Sequence, residues 1–184
     1  MQRVATRNVI SRPARRSMGR TVLLACLVLP ALIGAQSHDA GLEQRLLAAH
    51  NRERAALDLP PLRWNGRLAQ DAARWSQELA SGNRLFHEKG TSGSGQGENL
   101  WAGTAGRFNP EAMVGEWAGE KVQFARGTFP HVSRTGSWAD VGHYTQMVWR
   151  DTREVGCAIG RGAQLDVLVC RYAKAGNVMG QAPF

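Results

Sequence analysis

The chain has 184 residues and 43% hydrophobic content, enough for one sizeable core and hardly two. Its formal charge of +8 is concentrated at one end: Arg3, Arg7, Arg12, Arg15, Arg16 and Arg20 fall within residues 1–35 with no acid, and the remainder carries 17 basic against 15 acidic residues, a net +2. A balance so close to neutral excludes a nucleic-acid-binding surface as the reason for the charge.

In chain order, residues 1–35 read as an export leader: an arginine-rich start, the apolar run TVLLACLVLPALIGA from Thr21 to Ala35, and small residues at its end. The run is shorter than the ~20 residues a spanning helix needs and Pro30 interrupts it, so no permanent membrane anchor is expected. Met18 is an alternative start, and Arg15 with Arg16 an alternative twin-arginine signal. Residues 36–184 then form a single domain, expected outside the cell or in the periplasm.

A helix is predicted from about Gly41 to Leu57, with Leu42, Leu46, Leu47, His50 and Arg54 at helical spacing, ending before Pro60 and Pro61. Asn65 caps a second helix that runs through Ala80 and stops at Gly82; its apolar stripe is Leu68, Ala72, Trp75, Ser76 and Leu79. TSGSGQG, residues 91–97, reads as a flexible loop. Asn109 followed by Pro110 starts a third helix through about Phe124, and residues 125–140, with Gly127, Pro130 and Gly136, read as irregular.

The end of the chain alternates differently. EVGCAIG and LDVLVCRYA are short, rich in Val and Ile, and joined by RGAQ, the pattern of a β-hairpin. Cys157 and Cys170 lie one on each strand, and on one face of neighbouring strands they meet disulfide geometry. The other reading, two unpaired buried thiols, suits an exported protein less well.

Four motifs then act together: HNRER from His50 to Arg54, GENL from Gly97 to Leu100, GHYTQMVWRDT over residues 142–152, and VLVCRYAKAGNV from Val167 to Val178. In this order they resemble the signatures of the CAP superfamily, which groups cysteine-rich secretory proteins, antigen 5 proteins and plant pathogenesis-related group 1 proteins. The resemblance spans about residues 40–184, and the leader with the compact single domain is similar to bacterial SCP-like extracellular members. It implies an α+β fold, a three-layer α/β/α sandwich around a small, mainly antiparallel sheet.

The resemblance also implies a cleft tetrad: His143 of GHYTQ, His87 of LFHEKG, Glu98 of GENL, and Glu120, chosen over Glu116 because Trp117 stands three residues before it. Two imidazoles with two carboxylates suit a divalent ion, zinc or another, with His87 and His143 as candidate ligands and positions left open for water. A proton-sharing network is the alternative chemistry for the same groups. His50, Asn51 and Arg54 read as structural, fastening the first helix to the core.

Among the segments outside the motifs, Phe124, Phe129 and Trp138 either present an apolar surface to a lipid or pin a long loop to the core. No GxSxG elbow, HExxH helix or glycine-rich phosphate loop occurs, and no serine or threonine has the setting of a nucleophile. The expectation is a secreted, monomeric, non-enzymatic protein that binds a metal, a small ligand or a lipid, in defence, virulence or host contact. A metal-dependent hydrolase or peptidase using the same cleft is the alternative.

Overall fold

A computed structural model describes residues 31–90 and 94–184. Of the expected leader, residues 1–30 lie outside the described residues, as do residues 91–93 of the expected loop. Among the described residues, helices α1 (Ala31–Ala55), α2 (Gly66–Ser81), α3 (Pro110–Gly119) and α4 (Gly142–Met147) accompany strands β1 (Arg63–Trp64), β2 (Gln96–Thr104), β3 (Glu154–Arg161) and β4 (Leu165–Ala173). The strands form one sheet in the order β1-β3-β4-β2, with β1 parallel to β3 and the other pairs antiparallel.

Side chains alternate across the sheet and build two cores. On one face, Val167 and Val169 of β4 and Leu100 of β2 meet Ala72, Trp75 and Leu79 of α2. On the other, Leu168, Cys170 and Tyr172 meet Leu46 and Ala49 of α1, Met113 and Val114 of α3, and Met147 of α4. The fold is the expected α+β sandwich of three layers.

Helix α2 rests almost backbone to backbone on β3. A Cβ at Gly156 would stand 2.2 Å from the Ala69 nitrogen, and one at Gly160 would stand 2.1 Å from the Ser76 carbonyl oxygen, so only glycine permits this approach. The caps of α2 are as expected: the Asn65 side chain accepts from the backbone N–H groups of Arg67 and Leu68, and Gly82 follows the last turn. Cys157 and Cys170 face each other across the hairpin with their Cα atoms 4.1 Å apart, and they are joined as a disulfide.

Several boundaries differ from the sequence reading. Helix α1 begins at Ala31, ten residues before the predicted start. Helix α3 stops at Gly119 and tightens into a 3-10 turn, Glu120–Gln123, which frees Glu120 to turn toward α4. Gln96 and Gly97, read as loop, are the first residues of β2, in register with Ala173 and Tyr172. The sequence reading also passed over α4 and β1, of six and two residues, each too short to show a period. No helix among the described residues is long and apolar enough to cross a membrane.

Candidate functional site

His87 follows α2 in an irregular segment and is exposed, whereas its partner Glu98 sits on β2 with its side chain only 3% exposed. The His87 Nδ1 lies 2.6 Å from Glu98 Oε1, and the Glu88 N–H donates to the same oxygen at 3.2 Å. Glu98 Oε2 lies 2.9 Å from the buried Arg171 Nη2. Arg171 also bonds Glu88, whose other oxygen receives Arg74 at 2.7 Å. Burial alone would raise the Glu88 carboxyl, but the bonds from Arg74 and Arg171 outweigh it and hold the carboxyl below its usual range.

A second pair stands across the cleft. His143 Nδ1 lies 2.6 Å from Glu120 Oε1, while Glu120 Oε2 accepts from the backbone N–H groups of His143 and Tyr144, both at 3.0 Å. The Trp117 ring stacks on the His143 imidazole at 5.8 Å between centroids, inclined by 16°. Glu116, the alternative to Glu120, is engaged elsewhere and accepts from Trp101 Nε1 at 2.9 Å.

These bonds decide what each imidazole offers. A carboxylate only accepts, so in the neutral ring Nδ1 carries the proton and Nε2 carries the lone pair. Neither Nε2 has a hydrogen-bond partner among the described residues. Both histidines line one cavity of about 280 Å³ with Glu98, Asn99, Trp138, Gly142 and Asn177. Glu120 is not among its lining residues and stands behind His143.

The tetrad is therefore two His–Glu pairs, not four groups closing on one point. Among the described residues, the single set of three or more His, Cys, Asp or Glu ligand atoms within 4.8 Å of one another is His50, Cys157 and Cys170. That set does not fit a metal, because both sulfurs are spent in the disulfide and both His50 nitrogens are hydrogen-bonded.

His50, Asn51 and Arg54 of HNRER are all hydrogen-bonded. His50 is fully buried between the Leu46 carbonyl and the Tyr172 hydroxyl, each at 2.8 Å. Asn51 exchanges two hydrogen bonds with the Leu62 backbone, fastening α1 to the chain entering β1. Arg54, also fully buried, donates to the carbonyls of Pro60, Met147, Trp149 and Thr152. Burial lowers its guanidinium to about 10, which leaves it charged at neutral pH.

Three residues of the site escaped the sequence reading. Asn99, given no side-chain role by the sequence, donates through Nδ2 to the His143 carbonyl at 3.0 Å and to the Tyr172 hydroxyl at 3.1 Å. Trp117, read only as a marker for Glu120, is the surface against which His143 lies. Arg171 carried the one available signal, a cation inside the apolar run VLVCRYA of β4, which needs an acidic partner when buried. Gln146 also finds its place: it accepts from the Gly176 N–H at 2.8 Å and fixes the segment after β4.

The profile of the cysteine-rich secretory protein (CAP) family matches residues 47–172. The chain belongs to the CAP family. This CAP chain is 35% identical over 166 residues to pathogenesis-related protein 1B of Nicotiana tabacum, covering 88% of this chain and 92% of that one. It is 33% identical over 168 residues to pathogenesis-related protein PRMS of Zea mays, covering 89% and 95%.

Among solved structures, NaASP2, crystallised with Zn2+, superposes with a TM-score of 0.67 at 22% identity, covering 78% of this chain and 84% of that one. Venom allergen-like protein 4 of Schistosoma mansoni gives a TM-score of 0.59 at 19% identity, covering 78% and 93%. These superpositions show the CAP fold.

Proposed function

We propose that this CAP domain is an exported, non-enzymatic binding protein whose cleft takes a divalent ion, zinc first, through Nε2 of His87 and His143. One observation carries the reading. Each imidazole is held at Nδ1 by a carboxylate 2.6 Å away and keeps a free Nε2, and both line the same cavity. Protein zinc ligands have this arrangement, with a carboxylate behind the ring fixing its tautomer and orientation. Glu98 and Glu120 then orient the ligands, and two protein nitrogens leave positions for water or a small ligand. The fold neighbour crystallised with Zn2+ makes zinc the natural ion to begin with.

An adjoining cavity of about 460 Å³ shares His87, Glu98, Trp138 and Asn177 with the first and adds Val178 and Met179. Trp138 is 44% and Met179 65% exposed, which supports a ligand with an apolar part, a lipid included. Phe129 also lines this cavity, but it is only 2% exposed and packs on Trp138 and Trp149, pinning the loop.

The non-enzymatic reading rests on the setting of the polar groups. Thr145 Oγ1 is buried and bonded to the carbonyl of Val141 and to Asn177, and the Glu98 carboxylate is held between His87 and Arg171. Neither is placed as a nucleophile or a mobile base. Export is supported by the arginine-rich leader and the disulfide. A role in defence is supported by the pathogenesis-related relatives.

Calorimetric zinc titration tests the reading, with the His87→Ala, His143→Ala double variant alongside and circular dichroism as the folding control. Saturable binding by the wild-type protein that is lost in the folded variant is the expected result. An absence of binding to the folded wild type overturns the metal and leaves the two pairs as a polar network.

A further inference from the structure

The outer edge of β2 opens into this cleft. Gly95 C=O accepts from the Ala175 N–H and Ala105 N–H donates to the Gln164 carbonyl, both at 2.9 Å, so odd-numbered residues of this stretch turn their backbone toward β4. Leu100 C=O turns the other way and accepts from Trp117 Nε1 at 3.2 Å. Antiparallel pairing alternates strictly, so Gln96 and Glu98 also point N–H and C=O outward. None of these four groups has a partner among the described residues.

Solvent reaches this edge at Glu98. The Glu98 side chain is only 3% exposed, yet the residue as a whole is half-buried, so its exposure belongs to the main chain. Glu98 lines both cavities, Gln96 lines the larger, and Trp138 stands exposed between them. An open strand edge in a concave site is a template for another strand.

The geometry points to an extended peptide as the ligand class of this cleft, docking as an added strand on Gln96 and Glu98 with an apolar side chain against Trp138. The inference rests on the reading of the cleft as a ligand site and names what enters it. Main-chain hydrogen bonds supply the affinity in such docking, while alternate side chains drop into pockets. The site is short, because Trp117 already occupies the Leu100 carbonyl and closes the edge beyond Glu98. A ligand of about five or six residues covers it at ~3.3 Å per residue.

The probe is an acetylated, amidated random-sequence library of about six residues, long enough for the two outward-facing positions at that rise. It is captured on the immobilised full-length protein, with and without zinc. Enriched peptides are expected to slow amide exchange at Gln96 and Glu98, and N-methylation at alternate peptide positions is expected to weaken binding roughly tenfold per lost bond. Trp138→Ala weakens the same peptides. The pairing persists without zinc, because the backbone makes it.

Three results overturn the inference: no enrichment over bare resin, enriched peptides that tolerate N-methylation at every position, or protection of Gln96 and Glu98 without peptide in a concentration-dependent dimer. Zinc binding without peptide pairing sinks this inference alone. Peptide pairing without zinc binding sinks the metal reading alone.

Discussion

His50 Nε2 and the Tyr172 hydroxyl lie 2.8 Å apart in the core, and the direction of their bond is determined. The Leu46 carbonyl can only accept, so His50 Nδ1 carries the proton, Nε2 accepts, and the tyrosine donates. The tyrosine oxygen in turn accepts from Asn99, which also holds the His143 carbonyl. A buried neutral histidine on α1 is thereby connected through two residues to the cleft.

This bond sets a pH dependence. Burial lowers His50 to about 4 from an ordinary 6.5, against the opposing pull of the Leu46 carbonyl. Between those values the unfolded chain binds a proton that the folded chain refuses, so stability is whole above about 6.5 and falls as pH drops toward 4. The loss is about 3 kcal/mol at completion. Urea denaturation at pH 7 and pH 4.5 should show the wild type losing more stability than His50→Gln, so that the gap between them narrows on acidification. An unchanged gap refutes the assignment.

Removing the Cys157–Cys170 link should cost roughly 3 kcal/mol through the entropy regained by the unfolded chain, since it closes a short loop. Thermal unfolding of Cys157→Ala, Cys170→Ala checks this. A loss well under 1 kcal/mol would mean that the hairpin register is held by its strand pairing alone.

Glu120→Gln separates an orienting carboxylate from a metal ligand. The amide keeps the size of the side chain but loses the charge that fixes the His143 tautomer, so zinc affinity should fall about 10- to 100-fold without vanishing. Calorimetry reads the affinity, and retained near-ultraviolet dichroism confirms that Trp117 still packs. Unchanged affinity would remove Glu120 from the site.

Much of this was legible in the chain because local chemistry and tertiary structure agree there. Asn65 and Gly82 bracket α2, Asn109 and Pro110 open α3, and the Leu46, His50, Arg54 stripe is buried as its spacing requires. What was not legible depends on distant partners. The strand character of Gln96 and Gly97 comes from Ala173 and Tyr172, not from a glycine-rich composition that reads as loop. The role of Asn99 exists only because Tyr172 and α4 converge on it. The division of the tetrad into two pairs follows from where α3 ends, which helix propensity left four or five residues too late.

The wiring of the sheet sets a timetable. Strand β4 is the last strand in the sequence and the one that pairs with both β2 and β3. While Leu165–Ala173 is still inside the ribosome, β2 has no neighbour to pair with and the α2 layer has no continuous surface to cover. Vectorial folding of the sheet is therefore blocked until β4 has emerged, and the chain made before it stays threadable until then.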